Sequence, residues 1–135
     1  MFTGGASTNC RRFIRTGTHN QAAIEERFGL TVRPAPDFVI FDNRNDQLRA
    51  ILECKGASDG GTARDKAARF ARLRAEGQRL GGVPIFAVLA GIGWRRTTDA
   101  LGPVVRDTDG RVFTLATLPK ILETEPVPGL RGLAS

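Results

Sequence analysis

The sequence predicts an α/β protein with one mixed sheet flanked by helices. Short apolar runs of strand length alternate with stretches of helical spacing, and Gly and Pro turn signals separate them. The run "VPIFAVLA" at 83–90 is nearly all apolar, which is typical of a central strand covered on both faces. A helical stretch separates this run from the strand before it, so we expect those two strands to be parallel.

For the first half of the chain we predict one helix and three short strands. In order, we predict an arm or loop over 1–18, a helix in "HNQAAIEERFGL" ending at Gly29, and strands in "LTV", "DFVIFD" and "LRAILECK". The turn "NRNDQ" between the last two strands is short, so they should form an antiparallel hairpin.

The second half predicts a long helix over 62–80, opened by Thr62 with Asp65 three residues later and stopped by two glycines. After the apolar strand come a short helix in "GIGWRRTTDALG", a strand in "RVFTL" and a closing helix in "TLPKILETE". The expected order is α-β-β-β-α-β-α-β-α. Residues 19–124 then form one domain and 125–135 a C-terminal tail.

The composition of the chain indicates which class of molecule we expect it to bind. The chain has 135 residues and a net charge of +6, and most of its 20 basic residues are arginine. Arginine suits phosphate because its planar fork donates two parallel hydrogen bonds, so nucleic acid is the expected partner. No apolar run approaches the roughly 20 residues of a membrane helix, and no signal peptide is recognisable, so we expect a cytoplasmic protein without a membrane partner. Two cysteines and one histidine argue against a disulfide framework, a zinc site and a Ser-His-Asp triad.

Two acids and a lysine stand out in the predicted hairpin. Asp37 begins the first strand, and Glu53 and Lys55 lie near the end of the second. Paired carboxylates repel each other, and a divalent cation relieves that repulsion. Hard oxygen ligands favour Mg²⁺, with Mn²⁺ as an expected substitute. With Lys55 holding a water or offsetting phosphate charge, the set fits hydrolysis of a phosphodiester.

Whether the two acids meet depends on the register of the hairpin. A loop of three or five residues pairs Asp37 with Glu53 on one face of the sheet. A loop with an even number of residues shifts the register by one and places them on opposite faces.

The residues Pro36-Asp37 and Glu53-Cys54-Lys55 resemble the PD-(D/E)XK motif of the restriction-endonuclease-like nucleases, and the resemblance covers about residues 19–120. The segment "GASDGGTARDKAARFARLR" is similar to type II restriction endonucleases. The resemblance implies an αβββαβ core, Asp37 and Glu53 as metal ligands, the backbone carbonyl of Cys54 as a further ligand, and Lys55 as the catalytic lysine. In some relatives an acid on the first helix joins the site. Glu25 or Glu26 could do so here, but adjacent helical residues point about 100° apart, so at most one faces inward, and a solvated helix face is favoured for each.

The helix at 62–80 and the loop after the apolar strand supply candidate DNA contacts. Basic residues lie mostly off the apolar stripe of the helix, and its N-terminus should lie near the acids and favour a phosphate. The expected contacts are Arg64, Lys66 and Arg69 on the helix and Arg95 and Arg96 in the loop. For Trp94, burial in a core is favoured over stacking on a base.

The expected function is a Mg²⁺-dependent endodeoxyribonuclease that cuts double-stranded DNA, of the type II restriction kind. Cutting both strands needs two sites, so a homodimer is expected. Two alternatives stay open. One is a structure-selective resolvase or repair nuclease on the same core, and the other is a DNA-binding module without catalysis.

Overall fold

The computed structural model describes residues 13–15, 21–42, 44–94 and 98–128. Its main elements in chain order are β1 Phe13–Arg15, α1 Gln21–Phe28, β2 Phe38–Asp42, β3 Gln47–Gly56, α2 Gly60–Arg79, β4 Ile85–Ala90, α3 Thr98–Asp107 and β5 Val112–Phe113. Short 3₁₀ helices occupy Ile92–Trp94 and Leu118–Glu123. No helix in these ranges is long and apolar enough to cross a membrane.

The strands form one five-stranded mixed sheet in the order β1-β2-β3-β4-β5. β2 pairs antiparallel with β1 and β3, whereas β4 pairs parallel with β3 and β5. The predicted α/β class, the hairpin and the parallel crossover through α2 are therefore confirmed. The crossover is parallel because a strand followed by a helix that packs back on the same sheet returns in its original direction.

Both faces of the sheet are covered, as the apolar run of β4 predicts. Ile85, Ala87 and Leu89 face a core that includes α2 and α3, and Phe86 and Val88 face a second core on the other side. The alternation follows from the two-residue period of a strand. The face under α2 is the one that carries Glu53.

One sequence prediction about the edges of the domain is wrong. "LTV" at 30–32 is not a strand, and the strand next to β2 is instead Phe13–Arg15, inside the predicted arm. The predicted closing helix is present as the 3₁₀ helix Leu118–Glu123. Val127, placed in the tail, is 2% exposed in the second core. These features depend on pairing and packing with distant residues, for which short local patterns give little signal.

Helix α2 also begins earlier than predicted. Asp59 is its N-cap, and the Asp59 carboxylate accepts a hydrogen bond of 2.8 Å from the backbone N–H of Thr62. The predicted pair of Thr62 and Asp65 therefore lies inside the helix. An acidic N-cap satisfies one of the free N–H groups of the first turn, which explains why the helix starts at Gly60.

The β2–β3 hairpin reaches the expected register by an unexpected route. Asp42 pairs with Gln47, so the loop 43–46 has an even number of residues. The register then shifts between Ile40 and Phe41, and Arg49 on β3 is left between two consecutive pairs. This irregularity is a β-bulge, which adds one residue to one strand. It compensates for the even loop, and Phe38 pairs with Leu52 as the odd-loop register requires.

Candidate functional site

The two motif acids meet at the end of the β2–β3 ladder. Asp37 lies one position beyond the Phe38–Leu52 pair and therefore opposite Glu53. The backbone N–H of Asp37 donates to Oε1 of Glu53 over 3.1 Å, and the backbone N–H of Cys54 donates to Oδ2 of Asp37 over 2.8 Å. Each carboxylate thus accepts a hydrogen bond from the strand of the other. Of the two registers that the sequence leaves open, the structure has the one that brings the acids together on one face.

Glu53 is a buried carboxylate held by two cations. It is 2% exposed, and its Oε2 lies 3.1 Å from Nζ of Lys55 and 2.9 Å from Nε of Arg69. Burial of an unpaired carboxylate would be strongly unfavourable, so these cations stabilise the charged form in this position. Lys55 is partly exposed and lies on the same face as Glu53, so its ammonium stands between the buried acid and solvent.

Cys54 contributes its backbone to this arrangement. In an extended strand the N–H and C=O of one residue point to the same side, and the N–H of Cys54 points to Asp37. Its carbonyl therefore faces the Asp37 side as well. Burial raises the pKa of the Cys54 thiol, and the Asp37 and Glu53 carboxylates raise it further. A thiol in such surroundings is a poor nucleophile, so the chemistry of the site lies with its oxygen atoms.

The donor set fits Mg²⁺. Two carboxylates and one carbonyl are hard oxygen ligands, and Mg²⁺ binds through one or two carboxylates while keeping several waters. Within the described residues no group of three or more His, Cys, Asp and Glu side chains could hold a metal. At this end of the hairpin the oxygen donors that could hold such an ion are the Asp37 and Glu53 carboxylates and the carbonyl of Cys54.

The predicted DNA contacts on α2 divide into two groups. Arg64 is exposed on the first turns of the helix. Lys66 is half-buried and donates to the backbone carbonyl of Gly56, directly after Lys55. Arg69 is 7% exposed and bound to Glu53, so its predicted contact with a backbone phosphate is wrong for this arrangement. Its place in the core follows from helical spacing, because it lies on the face that carries Leu73 and Glu76.

A polar stripe on α2 holds the segment that leads into Asp37. Arg69 donates to the carbonyl of Pro34 over 2.6 Å, and Arg72 donates to the carbonyl of Arg33. Glu76 accepts from the backbone N–H groups of Thr31 and Val32, and Arg79 donates to the carbonyl of Gly29. We call Arg69, Arg72, Glu76 and Arg79 the α2 stripe. The apolar periodicity of α2 does not predict this role, although the spacing of three or four residues between the members of the stripe is a signal for one helix face.

The two candidate accessory acids on α1 do not join Asp37 and Glu53. Glu25 lies 2.6 Å from Arg33 in an exposed ion pair, and Glu26 is exposed. No hydrogen bond or ion pair among the described residues links either to Asp37 or Glu53, so the structure gives no support to an accessory acid on α1. Arg95 and Arg96 lie outside the described residues.

The loop after β4 packs against the end of β3. A Cβ atom on Gly91 would lie 2.1 Å from the carbonyl oxygen of Ala57, and one on Gly93 would lie 2.5 Å from that of Asp59. Trp94 is 4% exposed in the core under α2, which confirms the expectation of burial. The two glycines therefore permit a close approach of two loops beside the site.

Two concave surfaces flank this end of the sheet. A groove of about 460 Å³ is lined by polar and small residues from the end of β3, the start of α2 and the loop after β4, including Ser58, Thr62 and Lys66. A larger groove of about 820 Å³ lies on the opposite face and is mainly apolar, with Leu115 and Leu118 on its rim. Gly56 lines both grooves, whereas Lys55 lines the larger, apolar one.

Comparison of the chain with protein-family models, with curated proteins and with solved structures finds no match.

Proposed function

We propose that the protein is a Mg²⁺-dependent endonuclease that hydrolyses phosphodiester bonds of double-stranded DNA, of the type II restriction endonuclease kind. The observation that carries the proposal is the reciprocal hydrogen bonding of Asp37 and Glu53, with Lys55 on the same face. The resemblance of Pro36-Asp37 and Glu53-Cys54-Lys55 to the PD-(D/E)XK motif is the basis for interpreting this arrangement as a nuclease site. The order of elements supports it in part: α1 precedes both hairpin strands, β2 and β3, but the strand beside β2 is β1, which precedes α1 instead of following it.

The residues divide the work of hydrolysis between them. Asp37, Glu53 and the carbonyl of Cys54 would hold the cation, which supplies an activated water and stabilises charge on the phosphate. Lys55 donates a hydrogen bond to the attacking water or to a phosphate oxygen once its ammonium turns from Glu53 to the substrate. Arg64 and the N-terminus of α2 contact neighbouring phosphates.

Two sites are needed to cut both strands, so the proposed active form is a homodimer. A structure-selective nuclease on the same core would use the same residues and differ in the DNA that it accepts. Cleavage of branched and linear duplexes, compared at equal protein concentration, separates these two forms of the proposal.

One observation favours a second candidate, a DNA-binding module without catalysis. Both Lys55 and Arg69 already neutralise Glu53, as they would in a purely structural ion-pair cluster. Such a module would bind DNA with a strong dependence on salt and would not need a metal.

Incubation of the protein with supercoiled plasmid in Mg²⁺ or EDTA tests the proposal. We expect nicked and linear products in Mg²⁺ only, and sequencing of their ends should show defined positions for a restriction enzyme. Intact plasmid in Mg²⁺ and in Mn²⁺, together with a salt-dependent gel shift, would establish the binding module instead.

A further inference from the structure

We propose that Arg69 is a positioning residue for the candidate site. It fixes the Glu53 carboxylate and the segment before Asp37 in a single arrangement, so that both acids face the same cation. This inference rests on the proposed function for its chemical meaning, but its geometric content can be tested by itself.

The guanidinium of Arg69 connects the two halves of the acid pair. Its Nε donates to Oε2 of Glu53 over 2.9 Å, and its Nη2 donates to the carbonyl of Pro34 over 2.6 Å. Pro34 lies three positions before Asp37. A planar fork can hold a side-chain carboxylate and a backbone carbonyl at a fixed angle, whereas the compact ammonium of lysine cannot reproduce that geometry.

The surroundings of Arg69 indicate more than a surface ion pair. Its side chain is 8% exposed, and its Nη1 is buried without a hydrogen-bond partner among the described residues. A buried polar group that lacks a partner is unfavourable and uncommon in folded proteins. Arg69 is therefore placed by its two strong contacts, even though a third donor remains unused.

Arg72 offers a matched control on the same helix. Arg72 donates to the carbonyl of Arg33, the residue just before Pro34. Unlike Arg69, it is exposed and makes no contact with Glu53 within the described residues. Loss of Arg72 removes one link to the segment before Asp37 and leaves Glu53 unchanged. Comparison of the two positions therefore isolates the contact with the acid.

The charge of Arg69 has a second consequence. A cation a few ångströms from Glu53 opposes the approach of a divalent ion to the same carboxylate. Arg69 thus orients the acid and at the same time weakens its attraction for a metal. Removal of Arg69 should make metal binding tighter and cutting slower, whereas simple unfolding would weaken both.

The test uses the full chain with Arg69→Gln, Arg69→Lys and Arg72→Gln. Amide hydrogen exchange in the metal-free protein reports on the hydrogen bonds of the acid pair, since the N–H groups of Asp37 and Cys54 donate to Glu53 and Asp37. We expect both amides to exchange about tenfold faster or more in Arg69→Gln, and at the wild-type rate in Arg72→Gln. Arg69→Lys should lie between, and it provides the readout if Arg69→Gln does not fold.

Titration with Mn²⁺ and plasmid cleavage complete the experiment. We expect Arg69→Gln to bind Mn²⁺ about tenfold more tightly and to cut more slowly at saturating Mg²⁺. The inference is overturned if the amides of Asp37 and Cys54 exchange at the wild-type rate in both Arg69 variants. It is also overturned if the loss of protection from exchange is the same in the Arg69 and Arg72 variants. If the wild-type protein does not cut plasmid, the proposed function fails, and the exchange data still decide whether Arg69 positions the acids.

Discussion

The Nε atom of Arg69 donates a hydrogen bond of 2.9 Å to Oε2 of Glu53, although the two residues lie 16 positions apart in the sequence. The contact joins the long helix to the strand that carries the Glu-Cys-Lys motif. Because Glu53 is 2% exposed, its negative charge is compensated inside the protein by Arg69 and Lys55. Glu53 is consequently part of the core and is tied to α2, whereas Asp37 and Lys55 are partly exposed.

Removal of a motif side chain should abolish cutting. We expect Asp37→Asn and Lys55→Met to lower plasmid cleavage in Mg²⁺ by about 10²-fold or more while gel-shift binding of DNA persists. Asp59→Asn is the matched control, because Asp59 is an exposed N-cap and asparagine caps a helix equally well. Cleavage by either motif variant at the wild-type rate would refute the assignment of the site.

Arg64 should contribute to DNA binding through charge. We expect Arg64→Gln to reduce the slope of log K against log salt by about one, since each neutralised phosphate releases roughly one counterion. Binding measured at four or five salt concentrations gives this slope. Arg74→Gln is the comparison, because the guanidinium of Arg74 lies 3.0 Å from Asp109 beyond the end of α3. Equal slopes for wild type and Arg64→Gln would remove Arg64 from the interface.

Glu76 should make stability dependent on acid pH. Hydrogen bonds from Arg79 and from the backbone of Thr31 and Val32 lower the pKa of the Glu76 carboxyl to about 2. The pKa of Glu76 is lower in the folded protein than the unfolded value of 4.5, so the ionised carboxylate stabilises the fold at pH values above 4.5. This contribution disappears as the pH falls toward 2.

The variant Glu76→Gln tests that assignment. At pH 6 we expect it to lower the free energy of unfolding by about 1.5 to 3 kcal/mol, the usual range for hydrogen bonds to a charged group. The difference from wild type should shrink between pH 4.5 and 2, the window set by the unfolded and folded pKa values. Urea denaturation at pH 6 and pH 3 measures it, and a difference that is the same at both values would contradict the role of the carboxylate.

The close approach at Gly91 should not tolerate a side chain. Gly91 has a φ of +96°, and a Cβ atom there would lie 2.1 Å from the carbonyl oxygen of Ala57. We expect Gly91→Ala to destabilise the protein by about 3 kcal/mol or more.

Gly81 is the control for that substitution. It has a similar φ of +100°, but a Cβ atom would meet nothing within 4 Å. Gly81→Ala should therefore cost only the backbone strain of about 1 kcal/mol. Thermal unfolding of both variants separates the steric contact from the backbone strain, and equal losses would show that the loops can part without cost.

The hairpin shows how far local sequence patterns can predict this site. Strand alternation leaves two registers open, one that places Asp37 and Glu53 on one face and one that separates them. The observed loop has four residues, and a bulge at Arg49 restores the register in which the two acids share a face. A bulge depends on the pairing of two whole strands, so the loop sequence alone does not reveal it.

For helix α2, the element itself is predictable from the sequence but the roles of its side chains are not. Its length, its crossover role and its apolar stripe are predictable from periodicity, but the role of its arginines is not. Arg64 and Arg69 look alike in the sequence, yet Arg64 is exposed and Arg69 is buried against Glu53. Burial of a charge depends on a partner brought close by the fold, whereas solvation of a charge requires only water.

By itself the sequence determined the α/β class, the central apolar strand and the antiparallel hairpin, and it left the proximity of the two acids to the register of that hairpin. These features follow from short-range alternation and from the handedness of a strand-helix-strand connection. The tertiary structure decided which strand borders β2, which arginine neutralises Glu53 and how α2 holds the segment before Asp37. Those outcomes depend on contacts between residues far apart in the chain. A local sequence pattern does not indicate which of several strands will border β2 or which of several cations will pair with Glu53.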